Sequence, residues 1–404
     1  MTTSDALNAL LVGSEALNWT GPDPYDGLES LIGALAKPLG PIPRFAVAQA
    51  TLRYPAFRRF ASPARTLNPK ALGLFLGAAV RGREVLGEPR ASGLIASLLG
   101  MIAKRGTPAA LGVGWGYPFA WQSRYFWAPA GTPNAVVTST VTWNLLECAD
   151  RTGDKQAVEM GCAGGRYLAT GLNRAQYGDG EAISYTANDA TQVVNVSALA
   201  ARALVRSARY ERTPIFQALA ERLVRFVVAA QRKDGSWPYS TDARGTWEDS
   251  FHTGYVLESL VGLQELGMDV PERTLDEGFE AYRRFFGPEG QARLYPRADS
   301  VLDAHSAAQG ILTYAALARS TRATEECRVF ARGAALRIAD WALRELWLPK
   351  HGHFAYRIQG PSRDEREFTR WVSAWMALAM ATAGSLAAGT TPKPAGRHAG
   401  VGAP

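Results

Sequence analysis

The chain has 404 residues, of which 47% are hydrophobic and 20% charged, so it can bury a large core in one large domain or in several ordinary ones. Its formal net charge of +7 arises from 44 basic and 37 acidic residues. No dense Lys/Arg run is present, which argues against a nucleic-acid-binding arm, and no nucleic-acid partner is expected.

The cysteines and the two ends of the chain bear on its compartment. Three widely spaced cysteines without CxxC spacing predict reduced, buried thiols rather than a disulfide framework. Residues 1–19 lack a basic region and do not resemble a signal peptide. The most apolar window, 371–388, is interrupted by polar residues and is typical of a core helix rather than a membrane span. We therefore expect a cytoplasmic protein, with peripheral membrane association left open.

A short loop pattern recurs along the chain. Each of five segments combines glycine or polar residues, an aromatic or aliphatic residue and then a tyrosine, and successive tyrosines are 54 to 68 residues apart. These tyrosines are Tyr117, Tyr185, Tyr239, Tyr295 and Tyr356. The spacing fits one helical hairpin per unit.

Two kinds of helix flank these loops. The preceding segments, such as 213–231 and 325–346, have amphipathic spacing, whereas the following segments are apolar on nearly all faces and begin with polar residues. A further hairpin is predicted over 25–39 and 68–81, and 82–114 is loosely patterned. Alternating amphipathic and buried helices predict an all-α fold, an (α/α)6 toroid of six helical hairpins. An open α-solenoid is the alternative.

We expect residues 1–389 to form a single α/α-toroid domain, because no linker-like stretch divides them, and 390–404 to be a disordered C-terminal tail. In a toroid, the first turns of the buried helices would meet around the mouth of a funnel. The catalytic candidates lie in or near these first turns and are Asp249, His252, Tyr255, Asp303 and His305.

His252 is the strongest of these candidates. A helix N-terminus favours a neutral imidazole, which can accept a proton, and Asp249 lies three residues earlier on the same helix face. A purely structural interpretation stays open, since Asp249 and Asp303 also suit helix N-caps. His351 and His353 lack a helical metal-binding spacing, so neither a metal nor another cofactor is expected.

Substrate-binding candidates come from the same first turns and from the loops. Segment 114–134 is rich in aromatic residues and could stack a sugar ring, or could simply plug the toroid. Arginine pairs bidentately with carboxylates, so Arg124 and Arg370 are candidate carboxylate clamps. The full set is Trp115, Tyr117, Trp121, Gln122, Arg124, Asp189, Asn195, Trp237, Tyr239, Arg370 and Trp371.

Two resemblances follow from particular motifs. QRKDGSW at 231–237 resembles the QW motif of triterpene cyclases, which belong with the protein prenyltransferases among α/α-barrel proteins. The motif occurs once in full, and the acidic DxDD motif and the zinc ligand set of those families are absent. This resemblance implies the fold and argues against both activities.

The second resemblance covers most of the chain. The ordered series NWTGPDPYDGLES, GWGYPFAWQSR, ISYTANDATQVVNVSALAA, WEDSFHTGYVLE and FTRWVSAWMALA is similar to a bacterial family of polysaccharide-biosynthesis proteins in exopolysaccharide and O-antigen gene clusters. Ala120 stands where that family is expected to have an acid. The resemblance implies a polysaccharide context without defining the reaction.

These observations predict a carbohydrate-active protein of cell-surface polysaccharide biosynthesis or modification. We expect it to act on a uronate-containing polysaccharide or a lipid-linked oligosaccharide as an epimerase, a lyase or a hydrolase. Two alternatives stay open: a terpenoid- or prenyl-chain-handling α/α-barrel enzyme, and a non-catalytic glycan-binding scaffold.

Overall fold

A computed structural model describes residues 1–389, and the tail predicted over 390–404 lies outside the described residues. The described part is dominated by helices. In chain order they are α1 (Thr3–Ala16), α2 (Leu31–Ala36), α3 (Pro41–Arg53), α4 (Pro55–Ala61), α5 (Pro69–Arg81), α6 (Arg83–Leu86), α7 (Glu88–Ala103), α8 (Ala135–Thr152), α9 (Lys155–Thr170), α10 (Val194–Ser207), α11 (Pro214–Ala229), α12 (Ser250–Glu265), α13 (Glu272–Arg283), α14 (Ala304–Ala318), α15 (Glu325–Glu345) and α16 (Ala374–Ala387). Two 3-10 turns (Asp26–Glu29 and Lys37–Leu39) and one π-helical turn (Thr369–Ser373) complete the set.

Short strands lie in the loops between the helices. They are β1 (Thr107–Pro108), β2 (Val113–Gly114), β3 (Trp121–Gln122), β4 (Trp127–Ala128), β5 (Arg174–Tyr177), β6 (Gly180–Ile183), β7 (Leu302–Asp303), β8 (Trp347–Leu348), β9 (His353–Phe354), β10 (Arg357–Gln359) and β11 (Ser362–Asp364). Strands β7, β10 and β11 form an antiparallel sheet in the order β11-β10-β7, with Asp303 opposite Arg357. The others pair as hairpins β1–β2, β3–β4, β5–β6 and β8–β9.

Six helices form a closed inner ring. Helices α5, α8, α10, α12, α14 and α16 each pack against the next, and α16 packs back against α5. These helices are buried around nearly their whole circumference, as their apolar sequences predict. The ring confirms the α/α toroid and rules out an open solenoid, in which the first and last helices would not meet.

Six outer helices surround this ring. The first five inner helices each pack against an outer helix that follows in the chain, giving the pairs α5–α7, α8–α9, α10–α11, α12–α13 and α14–α15. The last pair joins the two ends of the described chain, because α16 packs against α1. Helix α7 lies within the loosely patterned 82–114.

The prediction of an outer helix over 25–39 is wrong. That stretch forms a 3-10 turn, the six-residue α2 and a second 3-10 turn, while α1 occupies the outer position. Glycine and proline interrupt 25–39, whereas α1 has an unbroken apolar face and a capping box between Thr2 and Asp5. Residues 31–61, comprising α2, α3 and α4 with their connections, are called the N-terminal insert below.

The polar residues at the starts of the inner helices act as caps. Asn68, Asn134, Asp249 and Asp303 each accept a hydrogen bond from a backbone N–H in the first turn. Such a cap stabilises a helix by about 1 kcal/mol. The structural interpretation of Asp249 and Asp303 therefore holds, whatever else these side chains do.

The opposite ends of the inner helices carry charge pairs that lie within the fold. Glu258, which lies one turn beyond Tyr255, pairs with Arg202 at 2.8 Å, so it binds a neighbouring inner helix. A second pair joins Arg81 to Glu147 at 2.8 Å. These contacts join neighbouring inner helices away from their N-terminal ends.

The QW-like segment and the cysteines have structural places. The Gln231 amide donates to the carbonyls of Gly235 and Thr274, and the Trp237 indole N–H donates to the Val227 carbonyl, so the segment ties α11 to α13. Cys148 and Cys162 are buried as expected, but Cys327 is exposed on α15, so that part of the prediction is wrong. No helix among residues 1–389 has the length and apolarity needed to cross a bilayer.

Candidate functional site

The N-terminal ends of the inner helices surround a cavity of ≈ 180 Å³, the inner chamber. Most inner helices contribute at least one side chain from their first turns. The chamber is lined by Tyr25, Lys70, Tyr117, Phe119, Trp121, Val136, Tyr185, Asn195, Tyr239, Trp247, Phe251, His252, Tyr255 and Trp371. Three of the five loop tyrosines, Tyr117, Tyr185 and Tyr239, are in this set, so the recurring loops build its aromatic wall.

A wider space of ≈ 780 Å³, the vestibule, adjoins the inner chamber. The two spaces share Tyr25, Trp121, Tyr239, Trp247 and Phe251 as lining residues. Helix α3 of the N-terminal insert, the loop before β7 and Arg357 of β10 form further parts of its wall. Together the two spaces form a funnel with a narrow aromatic end.

His252 and Asp249 form a hydrogen-bonded pair at the chamber wall. Nδ1 of His252 lies 2.6 Å from Oδ2 of Asp249, and Oδ1 of Asp249 accepts the backbone N–H of His252 at 3.0 Å. The imidazole is about one quarter exposed and Asp249 is buried. Because Asp249 occupies Nδ1, Nε2 is the ring nitrogen left for a ligand.

Tyr255 lines the chamber and is supported from behind by His305. The Tyr255 hydroxyl lies 2.8 Å from Nε2 of His305, and His305 is fully buried between the rings of Phe251 and Trp375. Burial lowers the pKa of His305 well below its usual value, and the nearby charge of Lys70 adds to this. Burial raises the pKa of Tyr255 well above 10. The pair is therefore a neutral phenol hydrogen-bonded to a neutral imidazole.

Lys70 brings a buried ammonium into the chamber. Its side chain is 1% exposed, and Nζ lies 4.1 Å from the ring centroid of Trp371, a cation–π contact. Burial lowers the pKa of Lys70 to about 8, with the Asp23 carboxylate acting in the opposite direction. Asp23 is itself held by the Asn68 amide at 3.1 Å.

Two further polar groups complete the chamber. Asn195 is 3% exposed, and its Oδ1 has no hydrogen-bond partner within the described chain. The hydroxyls of Tyr117 and Tyr185 lie 3.4 Å apart. Across residues 1–389, no cluster of His, Cys, Asp and Glu side chains has the arrangement of a metal site.

The π-helical turn before α16 separates two neighbouring candidates. Trp371 lies in the chamber wall, whereas Arg370 is fully buried and donates to Asp26 at 2.5 Å and to Thr66 at 2.9 Å. Arg370 therefore does not line the chamber or the vestibule. The wider π turn is a common device at functional sites.

Several other candidates lie outside the chamber. Asp303 is 1% exposed and pairs with Arg357 at 2.7 Å, so it meets neither His252 nor Arg370. The carboxylate of Asp189 accepts hydrogen bonds within its own loop, and Arg124 and Gln122 line the vestibule. Trp115 and Trp237 lie in the core, each with its indole N–H bonded to a helix carbonyl.

Sequence reasoning missed part of the chamber. Lys70 occupies the first turn of α5, the same position that identified Asn195 and His252 on other inner helices, so the same rule applied to α5 finds it. Trp247, Phe251 and Phe119 adjoin identified candidates and could be found by extending those segments. Tyr25 carries no comparable signal, because it lies in 25–39, for which the sequence predicts an outer helix.

Ala120 has an unexpected neighbour. Its backbone N–H donates to Oε1 of Glu29 at 2.8 Å, and the same oxygen pairs with Lys37. A carboxylate from another part of the chain therefore lies close to the position where an acid was expected. Neither Ala120 nor Glu29 lines the inner chamber.

Comparison with solved structures places the chain among α/α toroid proteins. A GH76 alpha-mannanase from Bacteroides thetaiotaomicron has a TM-score of 0.60 at 11% sequence identity. The match covers 78% of this chain and 86% of the mannanase chain. A cellobiose 2-epimerase from Bacillus thermoamylovorans has a TM-score of 0.58 at 10% identity, and the match covers 79% of this chain and 90% of the epimerase chain. A protein from Listeria innocua has a TM-score of 0.62 at 10% identity, and the match covers 96% of this chain and 99% of the Listeria chain.

The sequence comparisons add no closer relative. No protein-family model and no curated protein matches the chain. At these identities the solved structures establish the shared fold. The resemblance to polysaccharide-biosynthesis proteins of exopolysaccharide clusters therefore stays an expectation.

Proposed function

We propose that the protein is a carbohydrate-modifying enzyme that works by proton transfer on a uronate-containing glycan, as an epimerase or a lyase. One observation carries the proposal. The inner chamber brings together the Asp249-oriented imidazole of His252, the phenol of Tyr255 and the ammonium of Lys70, and none of its lining residues is a carboxylate. These groups suit removal of a proton next to a carboxylate group.

In this proposal His252 is the base. Nε2 accepts the proton from C5 of the uronate, and Asp249 stabilises the imidazolium that forms. The electron pair left on C5 moves into the adjoining carboxylate. Lys70 lies in the same chamber and neutralises the negative charge that develops there.

Tyr255 completes the reaction in either of two ways. In a lyase its hydroxyl gives a proton to the oxygen that leaves C4, and the C4–C5 double bond forms. In an epimerase it returns a proton to C5 from the opposite face. His305 acts as a positioning residue, because its Nε2 holds the Tyr255 hydroxyl at 2.8 Å and it does not line the chamber.

The vestibule favours an anionic glycan. Its lining contains four arginines and one carboxylate, Asp249. Arg357 is neutralised by Asp303, whereas Arg124 stacks over Trp247 at 5.0 Å. Aromatic side chains beside guanidinium groups suit acidic sugar units, since a ring face can stack while a carboxylate pairs.

The same geometry disfavours the alternatives. Hydrolysis by two carboxylates requires them on both sides of the bond, and Asp249 is engaged with His252 while Asp303 is engaged with Arg357. A Salegentibacter GH76 mannanase is described as inactive when two consecutive aspartates are replaced, and this chain has no consecutive aspartates. A buried ammonium at Lys70 also opposes a carbocation intermediate in a terpenoid enzyme.

The named relatives support a sugar substrate. The structural neighbours include mannanases, cellobiose 2-epimerases and a D-mannose isomerase, all named for activities on sugars. The resemblance to exopolysaccharide and O-antigen proteins favours a cell-surface polysaccharide or its lipid-linked precursor. A cytoplasmic site of action belongs to the same proposal.

The test uses purified protein and a panel of uronate-containing polysaccharides. Deuterium exchange at C5, followed by NMR in D2O, reports epimerase chemistry, and new ultraviolet absorbance from the unsaturated uronate reports elimination. His252→Ala should abolish both signals. His351→Ala, at an exposed loop histidine, is the matched control and should leave them unchanged.

Two results would overturn the proposal. Full activity in the His252→Ala variant would remove the assigned base. Saturable glycan binding by calorimetry, without exchange or elimination on any substrate of the panel, would reduce the protein to a glycan-binding scaffold.

A further inference from the structure

The N-terminal insert exposes an unusual amount of apolar side chain. Of the fifteen large hydrophobic residues that are exposed among residues 1–389, seven lie in this short stretch. They are Leu31 (86% exposed), Leu35 (73%), Leu39 (68%), Ile42 (82%), Phe45 (37%), Tyr54 (62%) and Phe60 (79%). Soluble proteins rarely concentrate exposed apolar side chains in this way unless they bind something.

The charged side chains of the insert are also all cationic. Residues 30–83 contain no aspartate or glutamate. Lys37, Arg44, Arg53, Arg58 and Arg59 lie in the insert, and Arg65 follows it closely. Arg53, Arg59 and Arg65 are exposed. An apolar surface bordered by cations alone is complementary to a negatively charged partner with an apolar interior.

The insert is attached to the toroid by specific contacts. Arg58 pairs with Asp26 at 2.7 Å, Lys37 pairs with Glu29 at 2.8 Å, and the Arg44 guanidinium stacks over the Trp127 ring at 4.1 Å. These contacts use the cationic side chains that face the protein. The exposed leucines recur every four residues through α2 and the following 3-10 turn, and their side chains face solvent.

The insert borders the funnel. Phe45, Leu52 and Arg53 of α3 line the vestibule, and α3 packs against β3 of the aromatic segment. A surface that bound the insert would therefore lie beside the entrance to the inner chamber.

We infer that the N-terminal insert docks the protein on an anionic lipid bilayer. The leucines and Ile42 enter the boundary between headgroups and acyl chains, and the exposed arginines pair with lipid phosphates. A second copy of the chain fits less well, because a two-fold interface would set cations of one insert against those of the other without a compensating acid. The bilayer offers both the apolar interior and the negative surface.

Docking would bring the entrance of the funnel to the headgroup level. A glycan attached to a lipid could then reach the vestibule without leaving the membrane. The docking inference itself does not depend on the reaction proposed for the chamber, since membrane binding is measured without any sugar present.

Flotation with vesicles tests the inference. The full chain is mixed with vesicles of phosphatidylcholine alone, or of phosphatidylcholine with an equal amount of phosphatidylglycerol. We expect binding to the anionic vesicles that weakens as salt is added. The variant Leu31→Ser/Leu35→Ser/Ile42→Ser should lower the partition coefficient at least about tenfold. Arg59→Gln/Arg65→Gln should lower it for anionic vesicles.

The control variant replaces three exposed apolar residues elsewhere in the chain. Val12, Leu111 and Val329 are 50%, 61% and 62% exposed on other elements, and their combined replacement by serine should leave vesicle binding unchanged. Thermal unfolding of both triple variants shows whether each remains folded. Because all six side chains are exposed, we expect both to do so.

Three results would overturn the inference. The wild type could fail to bind anionic vesicles, or the control variant could lose binding as strongly as the insert variant. Alternatively, light scattering could show a dimer that the insert substitutions dissociate, without any vesicle binding. In that case the insert would be an interface between copies of this chain.

Discussion

Asp249 holds His252 in two ways at once: one carboxylate oxygen accepts the backbone N–H of His252, and the other lies 2.6 Å from its Nδ1. The first contact caps α12, and the second fixes the orientation of the imidazole. A single side chain therefore joins the stability of an inner helix to the geometry of the proposed base. Substitution can separate these two roles.

Asp249→Asn should keep the N-cap of α12 but lose the carboxylate that supports His252 as the proposed base. Asparagine caps helices about as well as aspartate, so the free energy of unfolding should change by less than about 0.5 kcal/mol. An amide cannot stabilise the imidazolium, so turnover on a uronate glycan should fall at least about 100-fold. Steady-state kinetics and urea unfolding measure the two effects.

Asp154→Asn is the matched control, because Asp154 caps α9 by accepting the Ala157 N–H at 2.8 Å and lies away from the chamber. It should leave both turnover and stability unchanged. Equal turnover in the two variants would contradict the role proposed for Asp249.

Tyr255→Phe should affect stability and turnover together. It removes the hydroxyl that meets Nε2 of His305, whose Nδ1 already lacks a partner in the described chain. Leaving a buried imidazole without hydrogen bonds should cost about 1–3 kcal/mol of stability. The proposed proton donor is also lost, so turnover should fall by at least about 100-fold.

Tyr167→Phe provides the comparison. The Tyr167 hydroxyl donates to the Pro133 carbonyl at 3.2 Å, and Tyr167 does not line the chamber. This variant should lose some stability and keep its turnover. If Tyr255→Phe also keeps full turnover, Tyr255 is a structural residue only.

The inner ring could be predicted from sequence because its helices are apolar on nearly every face and recur with the loop tyrosines. The first outer helix could not be predicted in this way. Glycine and proline interrupt 25–39, so only the short α2 forms there, and the longer apolar face of α1 takes the outer position. For the chamber, a position in the first helical turn correctly identified His252 and Asn195. Which side chains pair with one another could be seen only in the folded structure. Arg370 and Asp303 lie in suitable turns, yet Asp26 and Arg357, distant in sequence, hold them elsewhere.

Lys70→Met should stabilise the protein at neutral pH. Burial lowers the pKa of Lys70 from 10.5 to about 8, so the folded state holds the ammonium at a cost of about 3 kcal/mol below pH 8. Between about pH 8 and 10.5 the unfolded chain binds the extra proton, so the stability of the wild type rises with pH and the advantage of the variant shrinks. Urea unfolding at several pH values measures this convergence.

Lys104→Met is the control for that experiment, because Lys104 is exposed and should show no pH-dependent difference. The Lys70 variant should also lose turnover on an anionic glycan, since no other ammonium lines the chamber. A Lys70→Met protein that is less stable than the wild type at pH 7 would contradict this account.

His305 should make the protein sensitive to acid. Its pKa is lowered in the folded state by burial, so below about pH 6.5 the unfolded chain binds a proton that the folded chain does not. Stability should therefore fall as the pH falls through this range. His305→Gln, whose amide can still meet the Tyr255 hydroxyl, should show a weaker fall between about pH 7.5 and 5. An unchanged pH dependence would show that His305 is not the responsible group.

Asn195→Leu should exchange ligand affinity for stability. Oδ1 of Asn195 is buried at the chamber wall without a partner, so replacing the amide by an apolar side chain of similar size should stabilise the free protein by about 1 kcal/mol. A glycan hydroxyl that would satisfy Oδ1 then has no partner, and the dissociation constant should rise about tenfold. Asn144→Leu is the matched control, because Oδ1 of Asn144 is also buried and unpaired but lies outside the chamber. Calorimetric titration should separate the two variants, and equal affinities would show that Asn195 does not contact the ligand.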